Sequence, residues 1–262
     1  METSDSMAVT RPHELAPRAA IAQYQDKSLS EGDLLRAIMS HPTWTFASTE
    51  KDGRPALGVL VREDGGRVLE LFSDDDALGV FRATHNEQHE TWHALEGHLL
   101  FAALGEQDAH RINLDPASEH AFRYQFDQLG LLRAWANVAA VELALLAPER
   151  FANPFAVLRR FAEYHVLLRL DGENRDWVLA PDQHERMLAA VFTAPDTADE
   201  FVTAMSEHID GELVLDMVSG EDLFRSLQQY QFDGVVMNPL SHLPPVALST
   251  AVAEKVLATA RQ

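Results

Sequence analysis

Two stretches of this sequence repeat each other, and that restricts its fold more than any other feature, because a repeated block of mixed character implies one supersecondary unit used twice. LEGHLLFAALGEQDAHRINLDPAS, running from Leu95 to Ser118, aligns without a gap on VSGEDLFRSLQQYQFDGVVMNPLS, running from Val218 to Ser241, at an offset of 123. Gly97 then stands opposite Gly220, Phe101 opposite Phe224, Leu104 opposite Leu227, Asp115-Pro116 opposite Asn238-Pro239, and Ser118 opposite Ser241. Upstream, FSDDDALGVF from Phe72 lies opposite FTAPDTADEF from Phe192 at an offset of 120, and both read as strand end, cap and helix. Two ordered matches at nearly one offset predict a duplication. The alternative is two independent uses of one strand-helix grammar.

Local signals assign the elements. Ser30 is a helix N-cap, with Leu34, Leu35 and Ile38 on one face of the helix it starts. Residues 43–48 and 56–61 alternate as strands joined by Lys51-Asp52-Gly53-Arg54, a hairpin signal. A third strand over 68–72 leads into Ser73 and Asp74, Asp75 and Asp76, whose negative charge suits the positive end of a helix better than a metal. In the second half Asn153-Pro154 opens a helix, 165–170 reads as a strand, 171–174 as a turn, and 187–192 as the strand entering a helix at Pro195. A strand over 212–218, a helix over 220–230, a short strand over 234–237 and a terminal helix over 249–261 complete the reading. Alternating strands and helices predict an α/β (α+β) fold: two duplicated units, each a small mixed sheet with flanking helices. The expected organisation is a flexible tail over 1–28, a first unit over 29–118, a helical connector over 119–150 and a second unit over 151–262.

The charge balance narrows the partners. The 262 residues carry 41 acidic and 21 basic side chains, a formal net charge of −20. The excess is spread, with 17 acidic and 7 basic residues over 31–120 and 17 and 8 over 151–262. Such a surface repels nucleic acid and anionic membranes and attracts a basic protein. The chain has no cysteine, so disulfides, thiolate metal sites and thiol nucleophiles are excluded together. The segment METSDSMAVTRPHELAPRAA places acids where a secretory signal has positive charge, so a cytoplasmic location is expected. Residues 129–146 are the most apolar run, but Arg133, Asn137 and Glu142 interrupt it, and a buried helix is the expectation.

One motif spells enzymatic chemistry. His89-Glu90-Thr91-Trp92-His93 matches HExxH, in which two imidazoles one helical turn apart bind zinc and the glutamate handles a water. That chemistry requires a helix. The repeat places 89–95 opposite the strand-like ELVLDMV of 212–218, and on a strand the two histidines sit about 13 Å apart, too far for one ion. Serine-hydrolase, P-loop and dinucleotide-binding signatures do not occur in the sequence.

The run VFTAPDTADEF, followed by GEDLFRSLQQYQFDGVVMNPLS, resembles the SseB family, named for an enhanced serine sensitivity phenotype. In that family a strand enters a helix through a VFTSPE-like segment, and a later strand ends in Asn-Pro-Gly-Ser. Here the turn is Asn238-Pro239-Leu240-Ser241, so Leu240 replaces the glycine, and Asp115-Pro116-Ala117-Ser118 is a worn copy. The close match covers 187–245. It implies no agreed catalytic residues and no cofactor. Read physically, Asn238 bonds its own backbone two residues on and Pro239 fixes φ, ending a strand in a turn. The alternative puts Asn238 and Ser241, mirrored by Asp115 and Ser118, at the strand end where open α/β sheets bind ligands.

Three functions stay open. A non-enzymatic SseB-like protein acting by protein contact through its acidic surface heads them. A zinc-dependent hydrolase using His89, Glu90 and His93 is the second, and an immunity or inhibitor protein for a basic toxin or nuclease is the third.

Overall fold

Pro17 has no N–H to leave unsatisfied, which suits it to the first turn of a helix, and it opens α1 (Pro17–Gln25). The sequence reading assigns this stretch to a flexible tail. Ala20 and Ile21 are instead fully buried in the first unit's core, so the tail's second half is part of the fold. The structure, a computed structural model, describes residues 11–51, 54–61, 65–85, 91–104, 109–172, 174–181, 186–209, 211–230 and 232–259.

The chain divides into two units, Met1–Ala139 and Ala140–Gln262. In the first, α1 is followed by α2 (Glu31–Ser40), β1 (Trp44–Lys51), β2 (Arg54–Leu57), β3 (Leu60–Val61) and β4 (Arg67–Phe72). Then come α3 (Asp75–His85), β5 (Trp92–Leu95), α4 (Gly97–Ala103), β6 (Arg111–Leu114), β7 (Phe122–Gln125) and α5 (Leu129–Leu146), whose residues past Ala139 belong to the second unit. The second unit contains α6 (Pro154–Arg160), β8 (Tyr164–Asp171), β9 (Asn174–Trp177), β10 (Leu179–Pro181) and β11 (Met187–Phe192). It continues with α7 (Pro195–Met205), β12 (Glu212–Val218), α8 (Gly220–Gln229), β13 (Gly234–Met237), β14 (Val246–Ser249) and α9 (Thr250–Ala258). The caps read from sequence are present: Ser30 Oγ accepts the Asp33 N–H at 3.1 Å, and Asn153 Oδ1 accepts the Ala156 N–H at 3.2 Å.

Both sheets have the α/β character expected, and their pairings match strand for strand. The first has the order β2-β1-β4-β6-β7, with β3 on β4 and β5 on β1. The second runs β12-β8-β11-β13-β14, with β9 on β8 and β10 on β11. In each, one central pair is parallel, β4 with β6 and β11 with β13, while the other pairs are antiparallel.

The stretch 119–150 departs from the expected helical connector. It contributes β7, antiparallel to β6 with Leu114 opposite Phe122, so the first sheet extends past residue 118. Helix α5 is long and apolar enough, by length and composition, to cross a membrane. Its Leu132, Ala136 and Ala139, spaced four and three apart, are fully buried in the first unit's core, which is how an amphipathic core helix packs.

The repeated glycines have one shared cause. Gly97 starts α4 against the end of α2, and a Cβ there would lie 2.6 Å from the Ile38 carbonyl oxygen. Gly220 starts α8 against the end of α6, where a Cβ would lie 2.2 Å from the Leu158 oxygen. Their N–H groups donate to His41 and Phe161, at 2.8 and 2.7 Å. The same two carbonyls also accept from aromatic side chains, Trp44 Nε1 onto Ile38 at 2.9 Å and the Tyr164 hydroxyl onto Leu158 at 3.1 Å.

Candidate functional site: buried polar clusters at the strand ends

Where each parallel pair ends, the chain turns into a residue with positive φ, Asp115 at 45° and Asn238 at 50°. Aspartate and asparagine tolerate this conformation better than most residues. Each donates its N–H to the neighbouring strand, Asp115 to Leu71 and Asn238 to Val191, both at 2.8 Å. Each side chain then reaches across to the first residue after that strand.

In the first unit Asp115, fully buried, accepts the Ser73 N–H at 2.7 Å through Oδ1 and the Ser73 hydroxyl at 2.6 Å through Oδ2. Arg18 of α1 stands by, its Nε 3.6 Å from Asp115 Oδ2 and its Nη2 2.6 Å from Asp74 Oδ1. Burial pushes the Asp115 carboxyl above the usual aspartate range, against the Ser73 hydrogen bonds and the Arg18 charge, which pull it down.

In the second unit Asn238 Oδ1 accepts the Thr193 N–H at 2.9 Å, while Nδ2 donates to Thr193 Oγ1 at 3.0 Å. The single hydroxyl proton of Thr193 goes to Glu142 Oε1, 2.6 Å away on α5. Thr197 at the start of α7 donates to the Ala194 carbonyl at 2.8 Å and lies 3.2 Å from Asn238 Oδ1. Each cluster thus contains one buried carboxylate, on the strand end in one unit and on the preceding helix in the other.

This geometry corrects the local reading of the Asn-Pro turn. Asn238 bonds a residue 45 positions away rather than its own backbone two residues on, because the buried Thr193 N–H needs an acceptor. Ser241 does the local work, donating to the Asn238 carbonyl at 3.0 Å and accepting the Leu243 N–H at 3.2 Å. Pro239 is buried beside them. Ser118 is joined to Asp115 through its backbone, its N–H donating to the Asp115 carbonyl at 2.9 Å. Sequence reasoning missed Ser73, Thr193, Glu142 and Arg18, although Ser73 and Thr193 are matched hydroxyl residues in the shorter repeat. It also missed Glu200, which holds His242 through Nδ1 at 2.8 Å.

Leu240 has φ 54° and is 59% exposed, so the turn does take the backbone that a glycine would suit. A left-handed residue with a Cβ costs about 1–2 kcal/mol, and glycine gives back less than that in chain entropy. Leu240→Gly is therefore expected to stabilise the protein by about 0.5–1 kcal/mol, read as a higher urea midpoint. An unchanged or lower midpoint would show that the turn carries no strain.

Asp115→Asn tests the carboxyl. The free acid ionises near 3.8 and the native one higher, so native Asp115 holds its proton where the unfolded chain has lost it. Its contribution to stability is greatest below pH 3.8 and falls as pH rises through the folded pKa. Urea titrations of both proteins should therefore shift in favour of the variant as pH rises through that window. A difference independent of pH would remove the assignment.

These clusters present no open chemistry. Thr193 and Glu142 have the hydroxyl-to-carboxylate contact of an activated nucleophile, yet are 0% and 1% exposed. The cavity beside them, bounded by Glu142, Met237, Asn238, Leu243 and Val246, has about 10 Å³, room for no more than one water.

The HExxH segment divides. His89 and Glu90 lie outside the described residues, whereas His93 sits on strand β5 opposite Phe46. Helix α3 ends at His85, so the helical spacing that the motif needs is not present at His93. Among the described residues no group of three or more His, Asp or Glu side chains is arranged to hold a metal ion.

Known proteins place the first unit in a family. No curated protein matches the chain. A solved structure, Anabaena Tic22, a protein of protein transport, is similar at 10% identity over 76% of this chain and 87% of that one, with a TM-score of 0.20. The model of the SseB protein N-terminal domain matches residues 18–129, in the first unit, whereas the motif resemblance was strongest over 187–245. That range takes in α1 with Arg18, both partners of the Asp115 cluster, and β7. The chain carries an SseB protein N-terminal domain in its first unit.

Proposed function

We propose that this SseB-like protein is non-enzymatic and acts in the cytoplasm by binding a more basic protein through its acidic surface. The observation that carries this reading is the state of the strand ends: the polar side chains placed where an α/β sheet would bind a ligand are buried and bonded to one another. A site already satisfied internally has little to offer a substrate. The net charge of −20 supports a basic partner and disfavours nucleic acid and anionic membranes.

The test is affinity capture on the immobilised full chain at low and high salt, beside a hydrolase assay with added zinc. A basic protein retained near one per chain and released by salt supports the reading. Hydrolysis that His93→Ala abolishes would overturn it and make the HETWH segment a zinc site.

A further inference from the structure

Strand β12 is the edge of the second sheet, with β8 its sole strand partner among the described residues. Edge strands are usually blunted by charged side chains, lysine above all, by proline, by bulges or by brevity. β12 has seven residues, Glu-Leu-Val-Leu-Asp-Met-Val, with no lysine or proline, and the only charges it sets on the edge are the acids Glu212 and Asp216. Its counterpart β5 is shorter, at four residues, and carries Trp92 with the Arg82 guanidinium 4.8 Å over its ring. Leu215 stands where the first unit has Trp92, and Val202 where it has Arg82, so the second edge lacks that cover.

The ladder's geometry says which backbone groups are free. Met217 lies opposite His165, yet its N–H is bonded at 2.8 Å to the Asp216 carboxylate and not across the ladder. In an antiparallel pair the outward-facing groups alternate, so Leu213, Leu215 and Met217 direct their N–H and C=O to the open edge. Their side chains share one face, on which Leu213 packs with Phe192 and Phe201 while Leu215 and Met217 are 40% and 61% exposed. Glu212 and Asp216 point to the other face, both exposed.

We infer that β12 is a docking edge for an extended basic segment of a partner protein, one in which apolar residues alternate with lysine or arginine. Such a segment adds a strand to the sheet. Its apolar side chains cover Leu215 and Met217, its cations meet Glu212 and Asp216, and its carbonyl replaces Asp216 on the Met217 N–H. A second copy of this chain is a poorer occupant, because it brings the same acids and a net charge of −20. This inference rests on the protein-contact reading and names the surface and the partner's chemistry.

The experiment is fluorescence anisotropy of the full chain with a labelled peptide alternating valine and lysine, against one alternating valine and glutamate. The lysine peptide should bind, more weakly in salt, and the glutamate peptide should not. Leu215→Pro removes an outward N–H that β8 does not use, and should weaken binding about tenfold or more. The double variant Glu212→Lys, Asp216→Lys should prefer the glutamate peptide, a reversal that does not depend on tolerance of the proline. Equal binding of both peptides, failure of the lysine peptide to bind, unreversed preference, or self-association in sedimentation that Leu215→Pro abolishes would each overturn the inference. If affinity capture still retains a basic protein while the peptide does not bind, only the docking edge is lost and the broader reading stands.

Discussion

Asn238→Asp, a change of one atom, should lower stability at pH 7 by about 3–5 kcal/mol, in the range of a buried charge left uncompensated. The amide Nδ2 donates to Thr193 Oγ1, and the hydroxyl passes its proton on to Glu142. A carboxylate in place of the amide donates nothing, so two buried acids would compete for one hydroxyl proton. For a domain of this size the loss corresponds to a melting temperature lower by roughly 10–20 °C. Acid should restore part of it, because the introduced carboxyl, once protonated, regains a donor toward Thr193. Combining the change with Glu142→Gln should recover about 1–3 kcal/mol beyond additivity, the coupling expected of neighbours in one hydrogen-bond network. The first unit keeps an aspartate at the matching place because Arg18 lies beside it. A variant as stable as the parent at pH 7 would mean that Glu142 and Asn238 do not share the hydroxyl.

Gly220→Ala should cost about 3 kcal/mol or more, at the upper end of overpacking. The new methyl would sit 2.2 Å from the Leu158 oxygen and 2.8 Å from that of Arg159, both backbone atoms at the end of α6. Relief means moving α8 away from α6, which also loosens the Gly220 N–H bond to Phe161. Gly79→Ala is the control. It lies inside α3 with nothing within 4 Å of the added methyl, and should stabilise by about 0.5–1 kcal/mol through helix propensity. Equal destabilisation by both changes would refute the steric account. Chemical denaturation at one pH measures all three proteins.

Much of this fold is written in short-range signals. Ser30 and Asn153 cap helices because their acceptors lie three residues on. The short, mostly apolar runs of 68–72 and 187–192 mark central strands whose two faces are both buried. The gapless repeat foretold that 92–95 pair as a strand, since ELVLDMV is the clearer copy. β7 and β14 escaped notice because four residues, FRYQ or VALS, are too few to show a period. α1 escaped because PRAAIAQYQ, although it buries Pro17, Ala20 and Ile21 and packs Tyr24 on the core, shows too narrow an apolar stripe to separate from a polar tail.

The strand-end clusters were half legible. Asp115 and Asn238 stand out as matched residues before proline, but their partners are 42 and 45 positions away, and distance of that kind leaves no trace in local composition. Glu142 looked like an interruption of an apolar run. Its partner is 51 residues downstream, and a glutamate in a core helix acquires meaning from the hydroxyl that faces it.

The division between the units falls inside α5, after Ala139. Its first turns bury Leu132 and Ala136 for one unit, and its last turns present Glu142 to Thr193 of the other. During synthesis the first unit therefore cannot complete its core until Leu132, Ala136 and Ala139 have left the ribosome, so a chain cut short before α5 lacks part of that core.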